Sequence, residues 1–244
     1  MTLLVAIDDT DNKSSIGTGR LSRMLAGELV RRGFLKDCRV TRHQLLIHPD
    51  IPYTSHNSSA CIEATLCRGT LDEVFQLSRA FLGNHFHEGA NPGLCVMDMD
   101  DVPGELSDFG KRAQHSVIPL AEGKAFALSL AKDKPTIWWG GETGRGCIGA
   151  LAAVGLRRTG NDGTYIDLKG IRDVTGMITV ERLLRRTAID RVTDLQGRDL
   201  HPEALIDSQD WVRPRLKDHL VVLELIPVDG HWRATHKKKE KKSP

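Results

Sequence analysis

The stretch LLVAIDDTDNKSSIGTGRLSRMLAGELVRRG, residues 3–33, changes its period twice, and those changes decide the fold class. LLVAI (3–7) is an unbroken apolar run of strand length, the mark of a buried strand. DDTDNKSS (8–15) is polar and turn-forming. From Ile16 to Arg31, the residues Leu21, Met24, Leu25 and Leu29 recur at i, i+3, i+4 and i+8, which predicts a helix with one apolar face. Gly33 after two arginines predicts its end.

The turn carries the chemistry. Asp8, Asp9 and Asp11 fall at the carboxyl end of the strand. Strict alternation puts Asp9 and Asp11 on one side and Asp8 on the other, unless the turn begins at once. Three carboxylates this close repel one another, and a hard cation relieves the repulsion. Mg²⁺ is commonly held by one or two carboxylates together with substrate phosphates. Gly17, Thr18 and Gly19 then open the helix, where unpaired N–H groups and the positive dipole end favour a phosphate. Thr18 adds a hydroxyl able to ligate Mg²⁺, bond a phosphate or accept a phosphoryl group. There is no Gly-Lys-Thr or Gly-Lys-Ser, so this is not a Walker A loop. The alternative is a solvated turn in which Asp11 or Asn12 closes an Asx-turn and Thr18 caps the helix.

Beyond this unit, strands and helices keep alternating. VTRHQLLI (40–47), ACIEATLC (60–67) and GLCVMDMDD (93–101) read as strands. DEVFQLSRAFL (72–82) reads as a helix, with Leu71, Val74, Leu77 and Phe81 on one face. KRAQHSVIPLAEGKAFALSLA (111–131) reads as helical, with a break at Pro119. KDKP (132–135) is a charged break and the expected domain boundary. After it, TIWW is a strand and GGETGRG a loop. CIGALAAVGLR is a small-residue helix, TYIDLKGIRD a strand and TVERLLRRT a helix. RVTDLQ and LVVLELIPV are strands. The fold class is α/β (α+β) in two lobes, and the order of the second fits a ferredoxin-like layout.

Composition removes several classes of protein. Apolar residues make up 40% of the 244, and 23 are glycine, the ordinary globular range. No apolar run reaches membrane-spanning length, and the N-terminus lacks the basic region of a signal peptide. The five cysteines are odd in number, scattered and without a CxxC pair, which excludes a zinc ribbon, disfavours a disulfide framework and points to the cytoplasm. The net charge of +2 hides an asymmetry. Residues 233–244 carry six Lys/Arg and one Glu, leaving 28 basic against 31 acidic residues in the body. The expected basic, disordered tail (231–244) is therefore the main candidate for contact with a polyanion.

Four further features bear on a site. In GRG (144–146), Arg145 stands between Gly144 and Gly146 at a helix start, placed to meet an anion. The glycines equally suit close helix–sheet packing with Gly149, Ala150 and Ala153. Asp98, Asp100 and Asp101 end a strand, either as a second carboxylate set facing the first or as a solvated strand end. Glu142 precedes Arg145 by three residues and is a candidate ion-pair partner. Trp138 and Trp139, adjacent on a strand, face opposite ways.

The motif IDDTDNKSSIGTG (7–19) resembles the opening of the archaeal tRNA-isoleucine agmatinylcytidine synthetases, IDDTDS…GMCTT. HPDIPYTSHNSSA (48–60) sits where that family has NPxxPWKTRGNGA, and ANPGLCVMD (90–98) is similar to its TNPG strand. GRGCIGALAAVG (144–155) with TYIDLKGIRD (164–173) is similar to RGLIGALAAIG…TYELIAYR, and Arg213-Pro214 matches a later RP. The resemblance implies a kinase-like, Mg-ATP domain at 1–134 and a ferredoxin-like, agmatine-binding domain at 135–230. It implies ATP and Mg²⁺ held by Asp8, Asp9 and Asp11, with Thr18 in phosphoryl transfer. In that chemistry an amide-type oxygen is phosphorylated, and an amine such as agmatine is then coupled to the carbon.

Three departures separate this sequence from the pattern. The family's OB-fold and zinc ribbon, which grip tRNA, have no counterpart here, so tRNA is an expected partner only through parts this chain lacks. The family's CTT becomes Gly17-Thr18-Gly19. KTRGNG becomes Thr54, Ser55, His56, Asn57, Ser58 and Ser59, which replaces two fixed cations with a hydroxyl and a mostly neutral imidazole. Arg145, Gly144, Gly146 and His56 are the expected substrate contacts. The alternatives are a small-molecule amine ligase that uses no tRNA, and a non-catalytic protein that binds a nucleotide or an amine.

Overall fold

The computed structural model describes residues 1–54, 56–131 and 136–234. It is mixed α/β and divides into two compact units, Met1–Asp167 and Leu168–Pro244. KDKP and most of the basic tail lie outside the described residues.

The first unit is a sheet with helices on both faces. Its strands are β1 (Thr2–Asp8), β2 (Leu35–Gln44), β3 (Ser58–Leu66), β4 (Gly93–Asp98), β5 (Ile137–Trp139) and β6 (Thr164–Asp167). Their order is β5-β4-β1-β3-β2-β6, and every neighbouring pair is antiparallel. Helices α1 (Thr18–Arg31) and α2 (Leu71–His85) cover one face. α3 (Gly104–His115), α4 (Leu120–Leu130) and α5 (Gly146–Arg158) cover the other. Leu3, Val5 and Ile7 point to the first layer, Leu4 and Ala6 to the second. Two covered faces explain why LLVAI is apolar throughout rather than alternating. Trp138 and Trp139 divide between the two layers, as adjacent strand residues must.

Several local expectations need correction. On α1 the buried stripe is Leu21, Leu25 and Leu29 with Ser22 and Ala26, and Met24 is exposed. On α2 it is Val74, Phe75, Ser78 and Leu82, turned by one residue from the expected face. Ser78 joins the core because its hydroxyl donates to Val74 O at 2.7 Å, which hides its polarity. Pro119 caps α4, and α3 begins at Gly104, earlier than the periodicity indicates.

The domain boundary also differs. β5 and α5, assigned by sequence to the second lobe, belong to the first unit. α5 packs on β1, β3, β4 and α3. Its small residues allow this approach: an added Cβ at Gly155 would fall 1.9 Å from Leu106 O. Without α5 that face would lose the helix that packs directly on β1, β3 and β4.

The second unit holds α6 (Val180–Arg186) and the strands β7 (Met177–Thr179), β8 (Arg191–Asp194), β9 (Leu205–Asp207), β10 (Arg215–Lys217), β11 (Leu220–Val228) and β12 (His231–Ala234). β11 pairs antiparallel with β10 and β12 and parallel with β8; β9 lies between β12 and β7. Five of these strands, β7, β8, β9, β10 and β12, have three or four residues each, and of the five only β8 falls in a stretch read as a strand from the sequence, because so short a strand barely registers as alternation.

Candidate active site

The three carboxylates open onto one cavity of about 460 Å³ in the first unit. β1 ends at Asp8, and Asp9 takes a left-handed backbone (φ 49°). The turn therefore begins at once. Alternation stops, and Asp8, Asp9 and Asp11 line the same space instead of dividing between two faces.

Each carboxylate has a different surround. Asp8 lies against α5: an added Cβ at Gly149 would sit 1.8 Å from its Oδ2. Burial, then the neighbouring Asp9 charge, push its carboxyl well above the usual carboxylate range. Asp9 is also raised by burial, against the opposing hydrogen bond and charge of Arg145. The Arg145 Nε–H donates to Asp9 Oδ2 at 2.7 Å, so Arg145 pairs with Asp9 rather than with Glu142. Asp11 accepts at both oxygens, from Thr18 Oγ1 at 2.8 Å and from Thr54 Oγ1 at 2.9 Å.

Thr18 is the first residue of α1, and Gly17 is its cap, without a side-chain cap bond. The Thr18 hydroxyl is therefore not spent on capping. It donates to Asp11 and accepts from the buried Thr10 hydroxyl at 3.0 Å. The Asx-turn of the solvated alternative does form, at Asn12, whose Oδ1 accepts from Ser14 N at 3.0 Å. The turn is thus locally satisfied at Asn12 and turned toward the cavity at Asp11 and Thr18.

Arg145 and His56 line the same cavity. Gly144 and Gly146 do not line it and serve packing. Gly144 has a positive φ (65°) against the Trp139 ring, and a Cβ at Gly146 would meet Asn91 O at 2.5 Å. The α5 amides are also taken up: Gly146 N bonds Asn91 O, Cys147 N bonds Gly144 O and Ile148 N bonds Arg145 O. Asp98 does not join the set. It pairs with Leu3, whereas Asp8 pairs with Gly93, so it stands at the far end of β1.

The cavity lining also includes the apolar Leu45, Ile51, Pro52, Val117, Ile118 and Pro119. Asp50 adds a fourth carboxylate to the lining. Among the described residues no three His, Cys, Asp or Glu side chains converge as a ready metal cage. Mg²⁺ in a nucleotide site asks for less, one or two carboxylates with phosphate oxygens completing the shell, and Asp8 beside Asp9 fits that demand. Sequence reasoning assigned no role to Thr54 or Asn91. The signal for Asn91 was an Asn-Pro-Gly at a strand entry, which says that a turn is present but not what it ties.

The cysteines are free thiols; Cys61, Cys95 and Cys147 are buried, and burial pushes Cys147 up to about 11. No helix among the described residues is long and apolar enough to cross a membrane.

No protein-family model matches the chain. It is similar to the 2-agmatinylcytidine synthetase TiaS of Pyrococcus horikoshii, named for an isoleucine tRNA, at 28% identity over 194 residues, covering 78% of this chain and 43% of that one. TiaS of Archaeoglobus fulgidus is 28% identical over 226 residues, covering 86% and 47%. The chain thus spans less than half the length of these relatives. Among solved structures, apo TiaS superposes with a TM-score of 0.51 at 27% identity, covering 64% of this chain and 35% of that one. A complex of TiaS with its tRNA and ATP gives a TM-score of 0.51 at 27% identity, covering 64% and 36%. The chain therefore resembles part of a tRNA-modifying synthetase in both sequence and fold.

Proposed function

We propose, from that partial likeness and from the cavity in which Asp8, Asp9, Asp11 and Thr18 meet, that this protein is an ATP- and Mg²⁺-dependent ligase-type enzyme. It phosphorylates an amide- or ureide-type oxygen and couples an agmatine-like amine to the activated carbon. The observation that carries this reading is Asp8, a half-buried carboxylate that lines the cavity beside two others. Such an excess of negative charge is relieved by a cation arriving with its own anionic ligand. Asp8 and Asp9 would hold Mg²⁺, which when bound would neutralise charge on the triphosphate.

The chain's own groups divide the remaining work. Gly17, Thr18 and Gly19 at the start of α1, of which Thr18 lines the cavity, would meet a phosphate, since helix N-terminal amides favour an anion. Thr18 Oγ1, fixed between Thr10 and Asp11, contacts the transferring group. Arg145, tied at Nε to Asp9, faces the cavity as a fixed cation and offsets developing charge. A carbonyl oxygen is a poor leaving group. Once phosphorylated it departs as phosphate when an amine attacks. A kinase-like role for the first unit, an agmatine-binding role for the second and a cytoplasmic location belong to this proposal.

Calorimetry with Mg-ATP on the wild type and on Asp8→Asn tests it, with the nucleotide recovered by chromatography. Binding should require Mg²⁺, and the substitution should weaken it at least tenfold. Recovery of AMP or ADP identifies the bond cleaved. No binding at millimolar Mg-ATP would overturn the proposal.

A further inference from the structure

Three loops meet at Asn91, a residue outside every role described so far. It is 5% exposed and precedes β4. Its backbone N–H donates to Asp9 O at 3.1 Å. Its Oδ1 accepts from Thr143 N at 2.6 Å and from Gly144 N at 3.3 Å. Its carbonyl accepts from Gly146 N at 2.9 Å. One residue therefore grips the turn carrying Asp9 and both sides of Arg145. These segments are otherwise joined near the cavity by the Arg145–Asp9 pair.

We infer that Asn91 is a positioning residue that sets the Arg145–Asp9 pair and, through it, the charge presented to the cavity. The physical argument has two parts. Asp9 holds a left-handed backbone, which Asp tolerates better than most L-residues but which remains one state among several, so a contact from outside the turn serves to select it. The Asn91 N–H on Asp9 O does so. Arg145 hangs from a loop whose flanking Gly141 and Gly144 both have positive φ. Glycine leaves such a loop many backbone states. The amide oxygen of Asn91, accepting two successive N–H groups, selects one of them. Asparagine suits the place because its backbone and its side-chain oxygen point to different loops, and a shorter residue would reach only one. Removal of the side chain would take the acceptor from the Thr143 amide, which is part-buried, and the Gly144 amide, which is buried, and free Arg145 from its register.

Part of the test does not depend on the proposed nucleotide chemistry. The Arg145 Nε–H, bonded to Asp9, should give a protected arginine Nε–H resonance in the wild type, assigned by its loss in Arg145→Lys. In Asn91→Ala the chain should stay folded by circular dichroism while that resonance loses its protection. A protected resonance in folded Asn91→Ala would overturn the inference, whatever happens to nucleotide. If Asn91→Ala does not fold, Asn91→Ser takes its place, with a hydroxyl too short to reach both amides and the same two outcomes. The second readout rests on the proposed function. Mg-ATP affinity should fall about tenfold in Asn91→Ala and no further in Asn91→Ala combined with Arg145→Ala than in Arg145→Ala alone. Additive losses would mean that Asn91 does not act through Arg145. Absence of Mg-ATP binding in the wild type would sink the nucleotide reading but leave the resonance test standing.

Discussion

His43 shows how one buried side chain sets a pH dependence. Its Nδ1 lies 2.7 Å from Asp162 Oδ1 and its Nε2 lies 2.8 Å from Thr41 Oγ1, with the ring fully buried. A neutral ring with its proton on Nδ1 satisfies both contacts. Burial lowers its pKa below the ordinary value, against the pull of Asp162 toward the charged form. The folded state therefore binds fewer protons than the unfolded state in the acidic range. Stability is fully present above the unfolded value, about 6.5, and is lost as pH falls through it toward the lower folded value. Melting temperature followed from pH 8 to pH 5 should show this acid-side loss, and His43→Gln should flatten it. An unchanged acid limb in the variant would assign the loss to other groups.

At the scale of an element, α5 is held by what it lacks. Replacing a helical glycine by alanine ordinarily gains about 0.5–1 kcal/mol. Gly27 in α1 has open space around it, and Gly27→Ala should show that gain. Gly149→Ala should do the opposite. Its Cβ would fall 1.8 Å from Asp8 Oδ2, and neither the short Asp8 side chain nor α5 can yield. Overpacking of this kind costs about 1–3 kcal/mol. The denaturant midpoint should fall, and Mg-ATP affinity with it, because the displaced group is a carboxylate of the site. Equal stabilisation by both substitutions would mean that α5 is not seated on Asp8. The small-residue pattern of this helix was legible in its sequence, both as packing and as the carrier of Arg145. Which partner it packs on was not, because a run of Gly and Ala permits close approach to any surface.

At the scale of the molecule, the boundary makes the sharpest prediction. A fragment ending at residue 134 lacks β5 and α5, and so loses the helix that packs on β1, β3 and β4 over the layer holding Leu4, Ala6, Cys61 and Cys95. It should bind a hydrophobic dye and unfold without cooperativity. A fragment ending at residue 167 contains the whole first unit and should melt in one sharp transition. Two equally cooperative fragments would restore the boundary at KDKP.

The sequence by itself determined the strand–turn–helix opening, the alternating α/β class, the acidic turn with Thr18 and the partial likeness to a synthetase. These are local facts: hydrophobic period, turn chemistry and the order of short motifs. Only the tertiary structure decided that the turn starts at Asp9, that Arg145 pairs with Asp9 rather than Glu142, that Asn91 ties three loops, and that α5 belongs to the first unit. Each of these depends on residues tens of positions apart meeting across a sheet whose strand order is not the chain order. Periodicity reports which face of an element is covered; it carries no record of what covers it.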